Sequence, residues 1–563
     1  MSRVVAVALA VVAFFWQVSR YPAQPNSDDA YISFRYAENL AHGAGPVFNA
    51  GERVEGYTDP LWVAVLAGLN RVGADTPRAA YLLSVLLGAA TIALVSLLPA
   101  RIAPALWGPG RSGGDDALGT DRRELALAGA AAALLLGCSH ALAFHSVQGL
   151  ETPLMAAVVT AALLALDPRT GRPGWSSASL FVLAMLTRPE GLLLFLVVAG
   201  AFVARSAKAG GRLPYRELLP CAAAIAAYGC FLGWRLWYYG AIVPNTYFAK
   251  RAALGADLVS GTAYVGEWLA SGLGAVAAVA CLVVALSLGW RAVASWPILL
   301  LGTHAMAVVT TGGDHFPLGR FFVPLAPLAV AVAALAVLRI PALLHRPRGT
   351  PTTPRALLRT AQGAAMATAC AVVAVPGLRQ TPVARAIYTQ FTGKWAHIGR
   401  VLRERLPAGT VIALSPVGAI PYFSGLPTVD ILGLTDAHVA HVAADPAIAR
   451  KGHQKHDGPY VLSRNPDVLI LGNGLIVSRD GARPGELWWW PDAGFGPDGT
   501  AVRGRRLDWR REGSSLSYEA DIESDPAFGR SYRPALVPLQ DGLELLVWRR
   551  VVEARPPPPG GSR

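Results

Sequence analysis

The sequence predicts an α-helical polytopic membrane protein of about eleven spans that ends in a mixed α/β domain outside the cytoplasm. Three observations lead there. Of 563 residues, 53% are apolar and only 15% charged, with a mean hydropathy of +0.38, whereas a soluble chain is about one-quarter charged. Apolar runs recur through the first two thirds, and Lys and Arg fall mostly between them. After residue 378 the composition turns mixed, and short β-rich runs replace the long apolar ones.

Candidate spans lie at 4–18, 79–100, 125–143, 153–166, 177–187, 191–203, 218–238, 272–288, 294–311, 321–338 and 361–375. Several fall short of the roughly 20 residues a straight crossing needs, so their ends are soft. With the N-terminus in the cytoplasm, the inward loops carry Arg101, Arg111, Arg122, Arg123, Arg169, Arg172, Arg205, Lys208, Arg212 and Arg216. Arg291, Arg339, Arg346, Arg348, Arg355 and Arg359 follow, which is a sustained positive-inside pattern. The short run 61–69 would invert every later loop if it crossed, so it reads as a helix lying in the interface. The first run has the length and basic start of a cleaved signal peptide as well, but the stretch 18–23 is a poor small-residue cleavage site.

This topology gives a membrane domain over 1–378, with its first outward loop at 20–78, and an extracytoplasmic soluble domain over 379–552. A Pro/Gly-rich tail at 553–563 is expected to be disordered. In the soluble domain, runs at 410–414, 428–432 and 467–471 alternate with helix-like stretches, while Trp509, Tyr518 and 543–547 read as antiparallel β. Trp488, Trp489 and Trp490 would stack on sugar rings in a glycan-binding surface, or dock against the membrane domain.

Charge and cysteine usage narrow the class. The formal charge of +13 forms no single patch or helix stripe, which argues against a nucleic-acid partner. Cys138, Cys221, Cys230, Cys281 and Cys370 lie in or beside apolar runs, so the soluble domain is not built on disulfides. No glycine fingerprint for a nucleotide and no Walker sequence occurs, which argues against a nucleotide cofactor, a nucleotide-sugar donor or ATP-driven transport.

The outward loops collect the costly polar residues on one side of the membrane. They hold Asp28, Asp29, Arg35, Glu52, Arg53, Glu55 and Asp59, then His145 and Glu151, then Arg188 and Glu190. Asn245, Lys250, Arg251, Asp314, His315 and Arg320 complete the set. Asp28 and Asp29 are the most site-like pair, because adjacent carboxylates raise one another's pKa. Their bland alternative is capping of the helix that begins at this point.

Six ordered motifs carry a resemblance. They are SDDAYISFRYAENLAHGAGPVFNAGERVEGYTDPLW from Ser27, GLETPL from Gly149, TRPEG from Thr187, PNTYFAK from Pro244, GGDHFPLGRFFVPLAPL from Gly312 and VDILGLTDAHVA from Val429. Together the chain resembles GT-C class polyprenyl-phosphate-sugar glycosyltransferases, nearest to the branch of terminal β-arabinofuranosyltransferases that build actinobacterial cell walls. It departs from that branch in reading Asp28-Asp29-Ala30-Tyr31 and Val54-Glu55-Gly56-Tyr57 where DDG and VEAN are usual, a form found in relatives of unsettled sugar specificity.

The resemblance implies a multi-pass plasma-membrane enzyme with a polyprenyl-phosphate sugar as co-substrate and a cell-envelope polysaccharide as acceptor. Arabinofuranose is the favoured sugar, with mannose or another hexose as alternatives. It further implies inversion by direct displacement, with Asp28, or else Asp29, as the base for an acceptor hydroxyl. A Mg²⁺ or Mn²⁺ ion bridging Asp28 or Asp29 and the lipid phosphate would suit hard oxygen ligands. The phosphate needs cations, for which Arg320, His315, Arg188 and Lys250 are candidates. Each has a plain alternative: Arg320 as an interface anchor or partner of Asp314, Lys250 beside Arg251 as an interfacial cation, and Arg188 with Glu190 as a salt bridge flanking Pro189 in a re-entrant hairpin. Glu55, Tyr57, Glu190 and Asp314 are supporting or acceptor-side candidates, and His145 a polar contact. The competing class is a lipid-linked-sugar flippase or transporter, which would place charges near the midplane and show internal repeats.

Overall fold

The structure is a computed structural model, and it describes residues 2–21, 26–107, 122–208, 215–252, 254–344, 355–448, 452–478, 487–489, 505–507, 516–539 and 543–551. The chain divides into two compact units. The first comprises Met1–Gly45, Tyr57–Val243 and Ala252–Ala386; the second comprises Pro46–Gly56, Pro244–Arg251 and Ile387–Arg563. Two short segments from the midst of the helical sequence therefore belong to the second unit.

The first unit is helical. Its elements are α1 (Arg3–Val18), α2 (Asp28–Ala41), α3 (Pro60–Arg71), α4 (Thr76–Val95), α5 (Leu98–Trp107), α6 (Arg122–Gly137), α7 (His140–Ser146), α8 (Thr152–Leu164), α9 (Trp175–Thr187), α10 (Glu190–Lys208) and α11 (Tyr215–Tyr239). After α12 (Asn245–Lys250), which lies in the second unit, come α13 (Leu254–Ala270), α14 (Gly272–Leu288), α15 (Trp290–Val293), α16 (Trp296–Thr311), a 3-10 turn (Arg320–Leu325), α17 (Ala326–Leu344) and α18 (Arg355–Arg405). Among the described residues, four helical stretches are long and apolar enough to cross a membrane: Thr76–Val95, Glu190–Lys208, Tyr215–Tyr239 and Arg320–Arg339. Two bent pairs, Arg122–Gly137 with His140–Ser146 and Leu254–Ala270 with Gly272–Leu288, raise that to six if each is one span. Arg3–Val18, Thr152–Leu164, Trp175–Thr187, Trp296–Thr311 and Thr360–Val375 are shorter apolar helices. The segment expected to lie in the interface forms α3, whose Pro60 at the first turn suits a helix start.

The second unit carries an eight-stranded mixed sheet. Its strands are β1 (Ile412–Leu414), β2 (Thr428–Asp430), β3 (Val468–Ile470), β4 (Ile476–Ser478), β5 (Leu487–Trp489), β6 (Arg505–Leu507), β7 (Tyr532–Pro538) and β8 (Leu543–Arg550), in the order β2-β1-β3-β8-β4-β5-β6, with β7 on β8. β1 pairs parallel with β2 and β3, Ile412 facing Thr428 and Val468, and the later strands are antiparallel. The short helices α19 (Ala419–Ser424), α20 (Ala437–His441), α21 (Gly458–Ser463), α22 (Ala520–Ser524) and α23 (Pro526–Ser531) complete it.

Alternate residues of a strand face opposite sides, and the core divides accordingly. Ala413, Val429, Leu469, Leu546 and Trp548 pack on one face with Ile522 of α22. Ile412, Leu414, Val468, Ile470 and Val547 pack on the other with Ile398 and Leu402 of α18. Trp488 and Trp489 lie on β5, opposite Ser478 and Val477 of β4, while Trp490 and the tail lie outside the described residues.

Candidate active site in the helical unit

The acidic pair opens α2. Ser27 occupies the N-cap, but its hydroxyl and its N–H both donate to the Gln148 carbonyl, at 3.3 and 3.0 Å, and the hydroxyl oxygen accepts no cap bond from the helix. Asp28 and Asp29 follow in the first turn, half-buried, where the helix dipole favours negative charge. One turn further, on the face of Asp29, the Ser33 hydroxyl donates to both Asp59 carboxylate oxygens at 3.1 and 3.0 Å. Asp59 precedes Pro60 and stands at the N-cap of α3, yet its side chain makes no cap bond and turns instead to α2. Burial first, and then the Glu151 carboxylate, pushes the Asp59 carboxyl up to about 7 against the opposing pull of Ser33 and Arg188.

TRPEG and GLETPL meet at a buried ion triad. The residue before a proline avoids the helical region, and Arg188 accordingly leaves α9 in an extended conformation (φ −156°, ψ 144°). That break turns its guanidinium toward two carboxylates. Nη2 and Nε donate to Glu190 Oε1 at 2.8 and 3.1 Å, and Nη1 donates to Glu151 at the N-cap of α8. Burial works against the charge of Arg188, but Glu190 and Glu151 more than offset it and raise its affinity for the proton.

The stretch 312–319 forms a turn that delivers Arg320. Gly313 has φ +70°, and an added Cβ there would lie 2.6 Å from Tyr264 Cβ; at Gly319 (φ +63°) it would lie 2.6 Å from Trp268 Cδ1. Only glycine meets both demands. His145 Nε2 donates to the Pro317 carbonyl at 3.2 Å, and His304 Nε2 to the Phe321 carbonyl at 2.7 Å, so two buried imidazoles hold the turn from either end. Arg320 Nε then sits 2.6 Å from Asp314 Oδ2, both side chains nearly fully buried. Its guanidinium lies over Phe316 at 4.3 Å, and Phe321 is shared by Arg320 and Arg188 at 5.6 and 5.0 Å. His315 is more exposed, with Nδ1 3.3 Å from Asp314 Oδ1.

These pieces form one electrostatic cluster. The charges of Asp314, Arg188, Glu151 and Asp29 all act on Arg320, and those of Glu151 and Arg188 act on Asp59. Among the residues expected from the sequence, Asp29, Arg188, Glu190, Asp314 and Arg320 are thus brought together, with Asp28 beside Asp29 on α2. Tyr57 lies in an aromatic group, 4.7 Å from Tyr36, its hydroxyl 3.1 Å from that of Tyr239. Glu55 and Lys250 belong to the second unit. Among the described residues no group of three or more His, Cys, Asp and Glu side chains gathers closely enough to hold a metal ion.

Glu151 in the triad, Ser33, Asp59 and His304 were not singled out as site residues in the sequence. Asp before Pro reads as a helix cap, and a lone His in an apolar run reads as core, so neither pattern marks them.

A family model described as a domain of unknown function (DUF8728) matches residues 384–518. A terminal beta-(1->2)-arabinofuranosyltransferase of Mycobacterium tuberculosis is 31% identical over 263 residues, covering 43% of this chain and 37% of that protein. The protein of the same name from Corynebacterium glutamicum is 61% identical over 36 residues, 6% of this chain and 5% of that one. The chain therefore matches well under two thirds of either relative. Among solved structures, ArnT from Cupriavidus metallidurans in the apo state superposes with a TM-score of 0.50 at 13% identity, over 97% of each chain. The chain shares the fold of ArnT.

Proposed function

We propose that this chain is a polyprenyl-phosphate-sugar glycosyltransferase that moves a sugar, with inversion, from a lipid phosphate to a hydroxyl of a cell-envelope glycan outside the cytoplasm. The observation that carries the reading is the buried ion cluster of Arg320 with Asp314 and of Arg188 with Glu151 and Glu190, in which both arginines share Phe321 and the charge of half-buried Asp29 acts on Arg320. An anionic lipid headgroup needs fixed cations at the membrane surface, and Arg320 opens the apolar stretch Arg320–Arg339. The names of the two arabinofuranosyltransferase relatives favour arabinofuranose as the sugar. If each of the four long helices, the two bent pairs and the five shorter apolar helices crosses once, they would make up the eleven spans of the positive-inside topology, which would put the sheet unit outside the cytoplasm.

Direct displacement assigns the roles. The acceptor oxygen attacks the anomeric carbon from the side opposite the departing phosphate, so base and phosphate cations belong on different sides of the sugar. The charge of Asp29 acts on Arg320, which assigns Asp29 to the phosphate side. Asp28, about 100° around the helix from its neighbour, is then the base that takes the acceptor proton. Arg320, with Arg188 behind it and His315 on its exposed side, neutralises the charge that develops on the phosphate as the C–O bond breaks. Asp314 fixes the Arg320 guanidinium, and the Glu151–Arg188–Glu190 triad fixes its support.

Incubating the purified chain with radiolabelled decaprenyl-phosphate arabinose and an oligoarabinoside acceptor tests this reading. Labelled oligosaccharide that is lost in Asp28→Asn supports transfer, and a panel of other donor sugars identifies the substrate. Movement of the lipid between leaflets with no new glycosidic bond contradicts it.

A further inference from the structure

The second unit contains two segments that interrupt the helical sequence, 46–56 and 244–251, and both are tied into it by asparagine side chains. Asn49 reads the edge of the sheet: its Oδ1 accepts from the Thr428 N–H at 3.1 Å and its Nδ2 donates to the Thr428 carbonyl at 2.8 Å. β2 is the terminal strand on that side, so a single amide satisfies both outward backbone groups of its first residue. The same Nδ2 donates to Glu52 Oε2 at 2.9 Å, while Glu52 Oε1 accepts from Arg464 Nη2 at 2.6 Å.

Asn245 does the corresponding work for the second segment. Its Nδ2 lies within hydrogen-bond distance of the carbonyls of Gly433, Leu434 and Asp436, at 2.8, 3.1 and 3.2 Å. Its backbone N–H donates to the Glu55 carbonyl at 2.9 Å, which joins the two segments to each other. The loop that Asn245 grips is itself rigid. Buried Asp430 accepts from the N–H groups of Leu432, Gly433 and Thr435 at 2.8, 3.0 and 2.7 Å. Asp436 caps α20 through His438 N and Val439 N, accepts from the Tyr460 hydroxyl at 2.9 Å, and lies 3.6 Å from Arg464. Thr428, Asn49, Glu52, Arg464, Asp436, Asn245 and Glu55 thus form one chain of contacts.

Connectivity gives this clasp its meaning. Segment 46–56 follows the C-terminal end of α2, the helix whose first turn holds Asp28 and Asp29, and leads to Tyr57 and Asp59 at the start of α3. We infer that Asn49 and Asn245 are positioning residues that fasten the connector between α2 and α3 onto the sheet, a restraint that reaches α2 and Asp59 along the chain. The C-terminal sheet then serves transfer by holding segment 46–56 in register, and the PNTYFAK and VDILGLTDAHVA motifs are the two halves of one fastening. The catalytic part of this inference rests on the glycosyltransfer reading above.

The test uses full-length protein in nanodiscs, with Asn49→Ala, Asn245→Ala and the milder Arg464→Met. Hydrogen exchange is followed at 426–432 and at the flanks 38–45 and 57–63, and kcat and donor KM are measured in parallel. The expected result is exchange about tenfold faster at all three stretches in the asparagine variants, with a smaller rise in Arg464→Met. kcat should fall about a hundredfold in the asparagine variants, because a small misplacement of the base suffices, with donor KM changed by no more than about threefold. Unchanged exchange at 38–45 and 57–63 overturns the inference, as does faster exchange with kcat and KM unaltered. If the wild-type chain transfers no sugar at all, the glycosyltransfer reading fails, and exchange at the flanks alone decides the clasp. Should an asparagine variant fail to fold, Arg464→Met carries the same comparisons.

Discussion

Arg320 Nε lies 2.6 Å from Asp314 Oδ2, with both side chains nearly fully buried and the guanidinium face on Phe316. An interface anchor would not need this arrangement, since a lysine can extend its ammonium to the membrane surface as well as an arginine can. A planar, doubly directed phosphate contact does need it. Arg320→Lys should therefore lower kcat/KM for the lipid donor by about a hundredfold. Steady-state transfer with the lipid donor checks this, and a change under threefold would return Arg320 to the role of anchor.

Arg188 neutralises two buried carboxylates at once. In Arg188→Met, Glu151 and Glu190 lose their common partner and the protein should lose about 3–5 kcal/mol of stability. Thermal unfolding in detergent measures it. Adding Glu151→Gln to that variant should recover part of the loss, because one of the two stranded charges is gone.

Asp59 gives a pH dependence with a definite sign. Its carboxyl is held up to about 7, against an ordinary value of 3.8, so the native protein keeps a proton that the unfolded chain releases. Where the native state binds the extra proton, stability falls as pH rises. The Asp59 contribution should thus decline from about pH 4 through about pH 7 and level off above it. Asp59→Asn removes this slope. Melting temperatures of both proteins at pH 5 and pH 8 decide: the wild-type difference should exceed that of the variant, and equal differences would mean that Asp59 does not titrate in this range.

Gly313 sets the turn that presents Asp314 and Arg320. Its φ of +70° and the 2.6 Å approach of an added Cβ to Tyr264 make Gly313→Ala costly on two counts. A loss of at least about 1–3 kcal/mol is expected from the backbone alone. Thermal unfolding should register it together with slower transfer, whereas Gly363→Ala, inside α18 where an added Cβ meets nothing within 4 Å, should lower neither.

What could be read in the sequence follows from how local each signal is. The helical unit and the β-runs of the sheet unit were legible because apolar periodicity is written in neighbouring residues, as in 428–432 and 467–471 around β2 and β3. The Arg188–Glu190 contact was legible for the same reason, across one proline. Glu151 as the second partner of Arg188 was not, since the two lie 37 residues apart and meet only through the packing of α8 on α9. Asp59 was hidden by its own context: a carboxylate before Pro60 reads as a cap, and only the tertiary contact with Ser33 shows that it is used elsewhere. Asn49 and Asn245 resemble ordinary turn residues, and nothing in the surrounding sequence announces partners 379 and 188 positions away.

The central claim is that a carboxylate at the head of α2 activates the acceptor for displacement of a lipid phosphate. Single-turnover transfer from a radiolabelled polyprenyl-phosphate sugar by the wild type, Asp28→Asn and Asp29→Asn measures it most directly, with donor binding determined in parallel. Asp28→Asn should bind the donor as the wild type does but form the glycosidic bond at least about a hundredfold more slowly. Bond formation at the wild-type rate in Asp28→Asn and in Asp29→Asn alike would contradict it.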